Sequence, residues 1–358
     1  MYILKPIVEN INNLNYVYKC KMIKNNVLTF DNKSDTGIYW LTPNVAVFPG
    51  PTTVGIIAIP SKADPESTDL YLIDSGPDKN YSNIIYDALK KEFRNFTLKF
   101  ILDTHSHADH AGGSAEFVRL TGCKIYSTQK EKSSIECPEN QSAISYGANP
   151  LPEYKGSYYL AEPAFVDKVI RTDEILDLAD NVRLEAVFLP GHYFEMIGVM
   201  CTVPAFENST EKKKIFFTSD GIFTRGMLAK YWIPFLYDVR LFKESLDKIR
   251  SIKADYYVPS HGDIYTEISG LYELNMLSVV QNEQTILRCL KEKGHSTFED
   301  ILKYIADSNE MSMRLSQFML VGSTIRSYIT YLYEENKITW VFKENKMYWK
   351  IKNSSDNS

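Results

Sequence analysis

The chain has 358 residues, of which 44% are hydrophobic, enough for one large domain and a smaller one. Its net charge of −5 and isoelectric point near 5.8 exclude a strong general attraction to nucleic acids or anionic membranes. No apolar stretch is long enough to span a bilayer, and residues 1–6 lack the features of a signal peptide. We therefore expect a soluble protein without a membrane partner.

The cysteines are odd in number, widely spaced and without a Cys-x-x-Cys pair. Such usage is typical of reduced, buried thiols and predicts a cytoplasmic location. The five cysteines are Cys20, Cys123, Cys137, Cys201 and Cys289.

The first 75 residues contain β-prone runs separated by turn residues, which predict a meandering sheet. The runs are residues 16–22, 27–30, 38–41, 45–48, 54–59 and 70–73. Asp74 follows the last run, in the sequence Asp-Ser-Gly-Pro. A carboxylate at this position either forms a turn or orients a metal ligand, and the sequence leaves both interpretations open.

A histidine-rich motif follows a predicted helix at residues 81–93 and a predicted strand at residues 98–102. Residues 103–112 read Asp-Thr-His-Ser-His-Ala-Asp-His-Ala-Gly and hold three of the six histidines of the chain. His105 and His107 are spaced to share one metal ion, while Asp109 and His110 point towards a second. The alternative is a polar loop of solvated histidines, but four potential ligands in six residues disfavour it.

The stretch after the motif predicts regular structure and then an irregular segment. Helices are expected at residues 116–120 and 128–136, with a strand at 124–127 between them. Residues 137–165 are rich in Pro, Gly, Asn and Tyr, so they form a lid or pocket wall, or a plain loop.

The second half contains further predicted strands, three of which are followed by a possible metal ligand beside a glycine. The strands are residues 184–189, 197–203, 214–218 and 256–259. His192 occurs in Pro-Gly-His, Asp220 in Ser-Asp-Gly and His261 in Ser-His-Gly. Glycine lets the backbone turn sharply beside a ligand. Only His295 remains as an expected surface histidine.

Taken together, these motifs resemble those of the metallo-β-lactamase-fold hydrolase superfamily over residues 38–265. The resemblance implies an α/β (α+β) fold, a four-layer αβ/βα sandwich with a dinuclear metal site at one edge. It also implies the ligands: His105, His107 and His192 for the first metal, Asp109, His110 and His261 for the second, and Asp220 as the bridge.

The chemistry implied by this resemblance is hydrolysis of a small ester, thioester or lactone by hydroxide that bridges two divalent cations. Zinc is expected, with iron or manganese as alternatives. Asp109 and Asp220 would be the catalytic residues, Asp109 by orienting the water or moving its proton. Asp220 resembles the bridging residue of glyoxalase II, lactonases and RNase Z, whereas Phe223 stands where acyl-homoserine lactonases have a tyrosine.

Two other activities stay open at this stage. One is a nucleic-acid-processing metallohydrolase, and the other is a redox enzyme with a single iron that resembles persulfide dioxygenases. The segment at residues 222–239 holds cationic and aromatic side chains that either line a substrate site or pack in the core. They are Arg225, Met227, Lys230, Tyr231, Trp232 and Phe235.

The pattern changes after His261, where helices and a terminal β-hairpin are predicted. The helices are expected at residues 271–291, 298–306, 312–320 and 323–335, and the hairpin strands at 338–342 and 347–351. Thr297 and Glu299 belong to a predicted helix N-cap. This region resembles the winged-helix-like appendage of some superfamily hydrolases, so we divide the chain into residues 1–268 and 269–358.

The charge of the C-terminal region favours a structural role over nucleic-acid binding. Residues 285–352 hold eleven lysines or arginines and eight acidic residues, too small an excess for a nucleic-acid surface. We expect this region to form a wall of the pocket or a homodimer contact, and the substrate to be a small molecule.

Overall fold

A computed structural model describes residues 26–28, 35–155, 160–179, 181–206 and 209–353 of the chain. The strand predicted at residues 16–22 and the residue Cys20 lie outside the described residues. Only the first part of the strand predicted at residues 27–30 lies within them.

The first sheet has seven strands in the order β2-β3-β4-β5-β6-β7-β8. They are β2 (Tyr39–Trp40), β3 (Val45–Phe48), β4 (Val54–Pro60), β5 (Thr68–Ile73), β6 (Phe96–Leu102), β7 (Lys124–Ser127) and β8 (Lys168–Val169). Strands β2 to β5 pair antiparallel, as a meander does, whereas β5 to β8 pair parallel. Parallel neighbours need a crossover connection, and helices provide it here.

The helices of this half include the crossover connections and a pair that precedes β8. They are α1 (Lys79–Glu92), α2 (Ala108–Ala111), α3 (Ser114–Thr121), α4 (Gln129–Glu136) and α5 (Glu139–Tyr146), followed by a 3-10 turn at Pro152–Tyr154. Asp78 begins α1 because its carboxylate accepts a hydrogen bond from the Tyr81 N–H. Ile85 and Leu89 lie one turn apart on the buried face of α1.

The second sheet also has seven strands, in the order β1-β14-β13-β12-β11-β10-β9. They are β1 (Val27–Leu28), β9 (Ile175–Ala179), β10 (Val182–Phe188), β11 (Ile197–Pro204), β12 (Lys212–Ser219), β13 (Tyr256–Pro259) and β14 (Ile264–Tyr265). Only β12 and β13 pair parallel, and α6 (Arg225–Lys230) and α7 (Val239–Ser251) connect them. The remaining elements are α8 (Ser269–Lys293), α9 (Phe298–Ser308), α10 (Leu315–Glu334), β15 (Ile338–Lys343) and β16 (Lys346–Ile351).

The two sheets pack face to face and are covered by helices on both outer sides. Ile57 and Ile73 of the first sheet belong to the same buried cluster as Val199 and Ile215 of the second. Burying each such side chain contributes about 1.5–3 kcal/mol to folding. A second buried cluster joins α1 to the first sheet, and a third joins α7 to the second. The expected four-layer sandwich is therefore confirmed.

The C-terminal helices share a hydrophobic core with the rest of the second half. Leu236 and Phe242 belong to the same buried cluster as Ile268, Leu271 and Ile325, so this cluster continues across residues 268 and 269. The predicted helices and hairpin of this region are present. The division of the chain at this point, and its winged-helix character, stay predictions.

Several details differ from the sequence-based expectations. The break expected between residues 320 and 323 is absent, because α10 continues through Gly322. A glycine in a helix costs about 1 kcal/mol, and burial of Val321, Ile325 and Tyr328 outweighs this penalty. The N-cap predicted at residues 296–299 lies at Thr297, so its reciprocal partner three residues on is Asp300 and not Glu299.

The cysteine prediction is wrong for one residue. Cys123, Cys201 and Cys289 are buried free thiols, whereas Cys137 is exposed because it ends α4 at the surface. The helices α2, α6 and α7 and the strands β8, β9 and β14 were not predicted, and α5 lies inside the segment at residues 137–165 that was expected to be irregular. None of the helices within the described ranges is long and apolar enough to cross a membrane.

Candidate metal centre

The candidate ligands all lie where strands end, at one edge of the sandwich. Residues 103–110 follow β6, His192 follows β10, Asp220 follows β12 and His261 follows β13. The turn before His192 requires glycine: Gly191 has φ +121°, and a Cβ there would overlap the backbone nitrogen of Phe242. The loops therefore bring ligands from both sheets to one point.

The first group of possible ligands consists of three imidazoles. His107 Nδ1 lies 3.0 Å from His105 Nε2 and 2.9 Å from His192 Nε2. Zinc–nitrogen bonds are about 2.0–2.1 Å long, so three nitrogens this close together can surround one cation. His105 and His192 are buried.

The second group combines a carboxylate with two imidazoles. Asp109 Oδ2 lies 3.4 Å from His261 Nε2 and 3.8 Å from His110 Nε2. Asp220 stands between the two groups: its Oδ2 is 3.4 Å from His192 Nε2, and its Oδ1 is 3.4 Å from His261 Nε2. Oδ1 of Asp220 therefore faces the second group, and Oδ2 lies between the first group and His110 of the second.

The donor set fits divalent cations. His110 Nε2 is buried and makes no hydrogen bond to any described residue, although buried nitrogens are normally paired. It lies 3.6 Å from Asp220 Oδ2, where a shared cation would satisfy both atoms. Imidazole nitrogens and carboxylate oxygens suit zinc, and also iron and manganese.

Hydrogen bonds from the opposite ring nitrogens orient the imidazoles. His110 Nδ1 donates to Asp74 Oδ2 at 2.8 Å, and His192 Nδ1 donates to the Phe235 carbonyl at 2.9 Å. His261 Nδ1 donates to the Pro51 carbonyl at 2.6 Å. In each case the Nδ1 proton is fixed by a hydrogen bond, so Nε2 is the ring nitrogen that faces the candidate metal position.

Asp74 combines the two roles that the sequence left open. Its backbone has φ 61° at the end of β5, and its Oδ1 accepts a hydrogen bond from the Thr104 N–H at 2.8 Å. The backbone of Asp74 therefore forms the turn, while its carboxylate holds the start of the histidine loop and orients His110.

Glu131 is a supporting residue that sequence reasoning missed. It is fully buried in α4 and accepts hydrogen bonds from the Ser106 N–H and hydroxyl at 3.0 and 2.7 Å. Its other oxygen accepts the Glu195 N–H at 2.8 Å. It therefore joins the loop that carries His105 and His107 to the loop that carries His192. No sequence signal distinguishes this glutamate from others in a polar helix.

The surroundings of the two ligand groups shift the pKa values of their histidines in opposite directions. Burial and the nearby His192 lower the pKa of His107 to about 3, so this imidazole stays neutral. Burial also opposes the charging of His261, but Asp220 and Asp109 outweigh it and raise the pKa of His261 to about 10. The carboxylates therefore attract protons to the second group, and the same negative field favours a divalent cation there.

A cavity of about 970 Å³ opens beside the cluster. The region predicted as a lid or wall lines it through Gln141, Ile144 and Tyr154. The Gln141 amide also donates a hydrogen bond to the Ser106 carbonyl. Helix α10 also lines the cavity, through Leu320, Val321 and Arg326, as expected for a pocket wall. The segment at residues 222–239 contributes Met227, Tyr231 and Phe235, whereas Arg225, Lys230 and Trp232 do not line the cavity.

Comparisons with curated proteins identify remote relatives. An atrochrysone carboxyl ACP thioesterase of Emericella nidulans is 21% identical over 235 residues, covering 63% of this chain and 61% of the relative. A beta-lactamase-like protein 2 homolog of Drosophila melanogaster is 24% identical over 263 residues, covering 69% and 76%. A hydroxyacylglutathione hydrolase of Polaromonas is 25% identical over 126 residues, covering 35% and 34%. The chain spans about three fifths of the fungal thioesterase.

Solved structures share the fold. A beta-lactamase domain protein from Burkholderia ambifaria superposes with a TM-score of 0.68 at 12% identity, covering 90% of this chain and 95% of that one. A subclass B3 metallo-beta-lactamase of Bradyrhizobium japonicum has a TM-score of 0.50 at 19% identity, covering 76% and 96%.

The family model described as the metallo-beta-lactamase superfamily matches residues 49–261, which is more than half of the chain and contains every candidate ligand. The chain therefore belongs to the metallo-beta-lactamase superfamily, whose members are hydrolytic enzymes.

Proposed function

We propose that this chain hydrolyses an ester, thioester or lactone with two divalent cations, zinc in the first instance. The observation that carries the proposal is the convergence of two ligand groups on the two oxygens of Asp220. The first cation would be held by His105, His107 and His192, the second by Asp109, His110 and His261, with Asp220 between them. Such a pair lowers the pKa of water and polarises a scissile carbonyl.

Asp109 and Asp220 have different roles in the proposed reaction. The Asp109 side chain is 39% exposed, whereas that of Asp220 is 8% exposed. Asp109 therefore reaches the cavity, where its carboxylate can orient the attacking water and accept its proton. Asp220 lies between the imidazoles and keeps the two ligand groups at a fixed distance from each other.

The shape of the cavity supports a bulky acyl group. Apolar side chains of Ile144, Ile233, Phe235 and Leu320 line it beside the metal cluster. A space of about 970 Å³ holds a much larger molecule than acetate. Two of the relatives, a thioesterase and a hydroxyacylglutathione hydrolase, carry names that describe removal of an acyl group. We also propose a cytoplasmic location, which the free cysteines favour.

A substrate panel tests this function. The purified protein is assayed on nitrophenyl esters, thioesters and lactones of increasing acyl length, before and after chelation and reloading with zinc. We expect zinc-dependent turnover that falls by at least about a hundredfold in His110→Ala. The matched control is His295→Ala, since His295 lies on the surface outside the cluster. Equal loss in both variants, or no turnover on any substrate, would contradict the proposal.

Elemental analysis of the protein purified without added metal separates the other activities. About two zinc or manganese ions per chain support the dinuclear hydrolase. One iron per chain, together with oxygen consumption on a persulfide, overturns it in favour of redox chemistry. Salt-sensitive cleavage of RNA or DNA without ester turnover overturns it in favour of nucleic-acid processing.

A further inference from the structure

Helix α10 carries a cationic side chain in the wall of the cavity that holds the metal cluster. Arg326 lines this cavity, and its guanidinium carbon lies 3.7 Å from the centre of the Phe298 ring. Among the described residues no carboxylate forms an ion pair with Arg326. The Arg326 side chain is exposed, so its guanidinium can meet a ligand in the cavity.

The stacking on Phe298 leaves the hydrogen-bonding edge of the guanidinium available. A guanidinium is planar, and its N–H groups point outward in the plane while its face packs on an aromatic ring. The edge can therefore form two parallel hydrogen bonds to a carboxylate or a phosphate. Partial burial lowers the pKa of Arg326, and Glu299, which forms no ion pair with it, opposes this shift.

The acidic side chains that line the cavity away from the candidate metal ligands already have partners. Glu334 is paired with Arg240, and the Asp238 carboxylate accepts the Leu241 N–H at the start of α7. Within the described part of the wall, Arg326 therefore offers a positive charge that no carboxylate contacts as an ion pair.

Hydrogen bonds at residues on either side of Arg326 hold this part of α10 against the segment that reaches the candidate ligands. The Ser327 hydroxyl accepts the Val239 N–H at 2.9 Å, and the Thr324 hydroxyl accepts the Leu236 N–H at 3.1 Å. The segment that these bonds hold also contains Phe235, whose carbonyl orients His192. One rigid connection therefore links α10 to the first ligand group.

We propose that Arg326 is the anchor for an anionic group of the substrate, while the acyl carbonyl lies at the metal cluster. This inference rests on the proposed hydrolase function and names its substrate class: an acyl ester or thioester that carries a carboxylate or a phosphate. The anion belongs either to the leaving thiol, as a phosphate, or to the acyl group, as a second carboxylate.

Matched thioesters distinguish these two sources. Wild type and Arg326→Gln are assayed with an acyl-coenzyme A, with the N-acetylcysteamine thioester of the same acyl group, and with the N-acetylcysteamine thioester of a dicarboxylic half-acid. We expect Arg326→Gln to raise the ratio of KM for an anionic thioester to KM for the neutral one by about tenfold or more. If the KM ratio rises only for the coenzyme A substrate, the group that Arg326 binds is the phosphate. If it rises only for the half-acid thioester, the group is the acyl carboxylate.

Arg314→Gln is the control within the same cavity. Arg314 also lines the cavity but lies twelve residues earlier, which is about 18 Å along a helix. An equal change of the KM ratio in both variants indicates a general charge effect and overturns the proposal. An unchanged ratio in Arg326→Gln overturns it as well.

A binding measurement keeps the inference separate from catalysis. Calorimetric titration with coenzyme A, pantetheine and glutarate needs no turnover. Pantetheine lacks the phosphates of coenzyme A and serves as its neutral match. The anchor is supported if Arg326→Gln weakens the binding of coenzyme A or glutarate and leaves thermal unfolding unchanged. This holds even if the protein hydrolyses none of the thioesters, a result that would overturn only the hydrolase function. Equal binding of each anion to wild type and variant, or no binding of either, overturns the anchor.

Discussion

Glu131 accepts two hydrogen bonds from Ser106, one from its N–H at 3.0 Å and one from its hydroxyl at 2.7 Å. Ser106 lies between His105 and His107, so a buried carboxylate in α4 holds the backbone between two candidate ligands. The third bond, from the Glu195 N–H, extends this support to the loop of His192. Two loops that carry ligands therefore depend on one side chain.

Stability should fall with rising pH because of Glu131. Burial raises the pKa of this carboxyl to about 7, although the donors from Glu195 and Ser106 oppose the shift. The folded state thus holds the proton more tightly than the unfolded state. This contribution to stability is present below the ordinary pKa of glutamate and is lost as the pH rises through about 7.

Glu131→Gln provides the measurement. The free energy of urea unfolding of the metal-free protein is measured at about pH 5 and at about pH 8. Ionisation of Glu131 over this range should lower it by about 2 kcal/mol. Glutamine does not titrate, so the free energy of unfolding of wild type relative to the variant should decrease by that amount. A constant difference across this range would show that the carboxylate is already ionised.

Asp220→Ala should remove metal as well as activity. The substitution deletes both oxygens that face the two ligand groups, so we expect fewer than about two bound cations per chain and at least about a hundredfold lower turnover. Metal content is measured after dialysis. Asp87→Ala is the matched control, because Asp87 is 62% exposed on α1. Full metal content in Asp220→Ala would exclude a bridging role.

Asp74→Asn should weaken metal binding without removing a candidate ligand. Asparagine keeps the size of the side chain but loses the charge that holds the proton on His110 Nδ1. Loss of such a supporting carboxylate typically lowers metal affinity by about 10–100-fold. Competition with a chromophoric chelator measures this affinity. Unchanged affinity together with lower thermal stability would mean that Asp74 acts only as a turn residue.

Ile325→Ala should destabilise the whole second half, because Ile325 of α10 is fully buried in the core that it shares with α7. Creating a cavity at such a site costs about 2–5 kcal/mol. Ile84→Ala removes an isoleucine that is 56% exposed on α1 and should change the free energy of unfolding by less than about 0.5 kcal/mol. Equal effects in urea unfolding would contradict the continuous core.

The candidate metal ligands were the part of the site that the sequence predicted most fully. These residues are polar, follow β-prone runs and stand beside glycines, so their place at strand ends follows from local patterning alone. The boundaries of β3, β7 and β13 agree with the predicted runs for the same reason. By contrast, α7 was missed, and the break expected at Gly322 was wrong, because packing decided both.

By itself the sequence indicated the sandwich fold and the seven candidate ligands through short motifs that resemble those of the superfamily, and such motifs are properties of neighbouring residues. Only the tertiary structure decided that the carboxylate of Asp220 lies between the two ligand groups, 3.4 Å from both His192 Nε2 and His261 Nε2. It also decided that Glu131 supports two loops and that Arg326 enters the cavity from a helix remote in sequence. These relationships depend on how distant elements pack, and no local pattern encodes the distance between residues that lie a hundred positions apart.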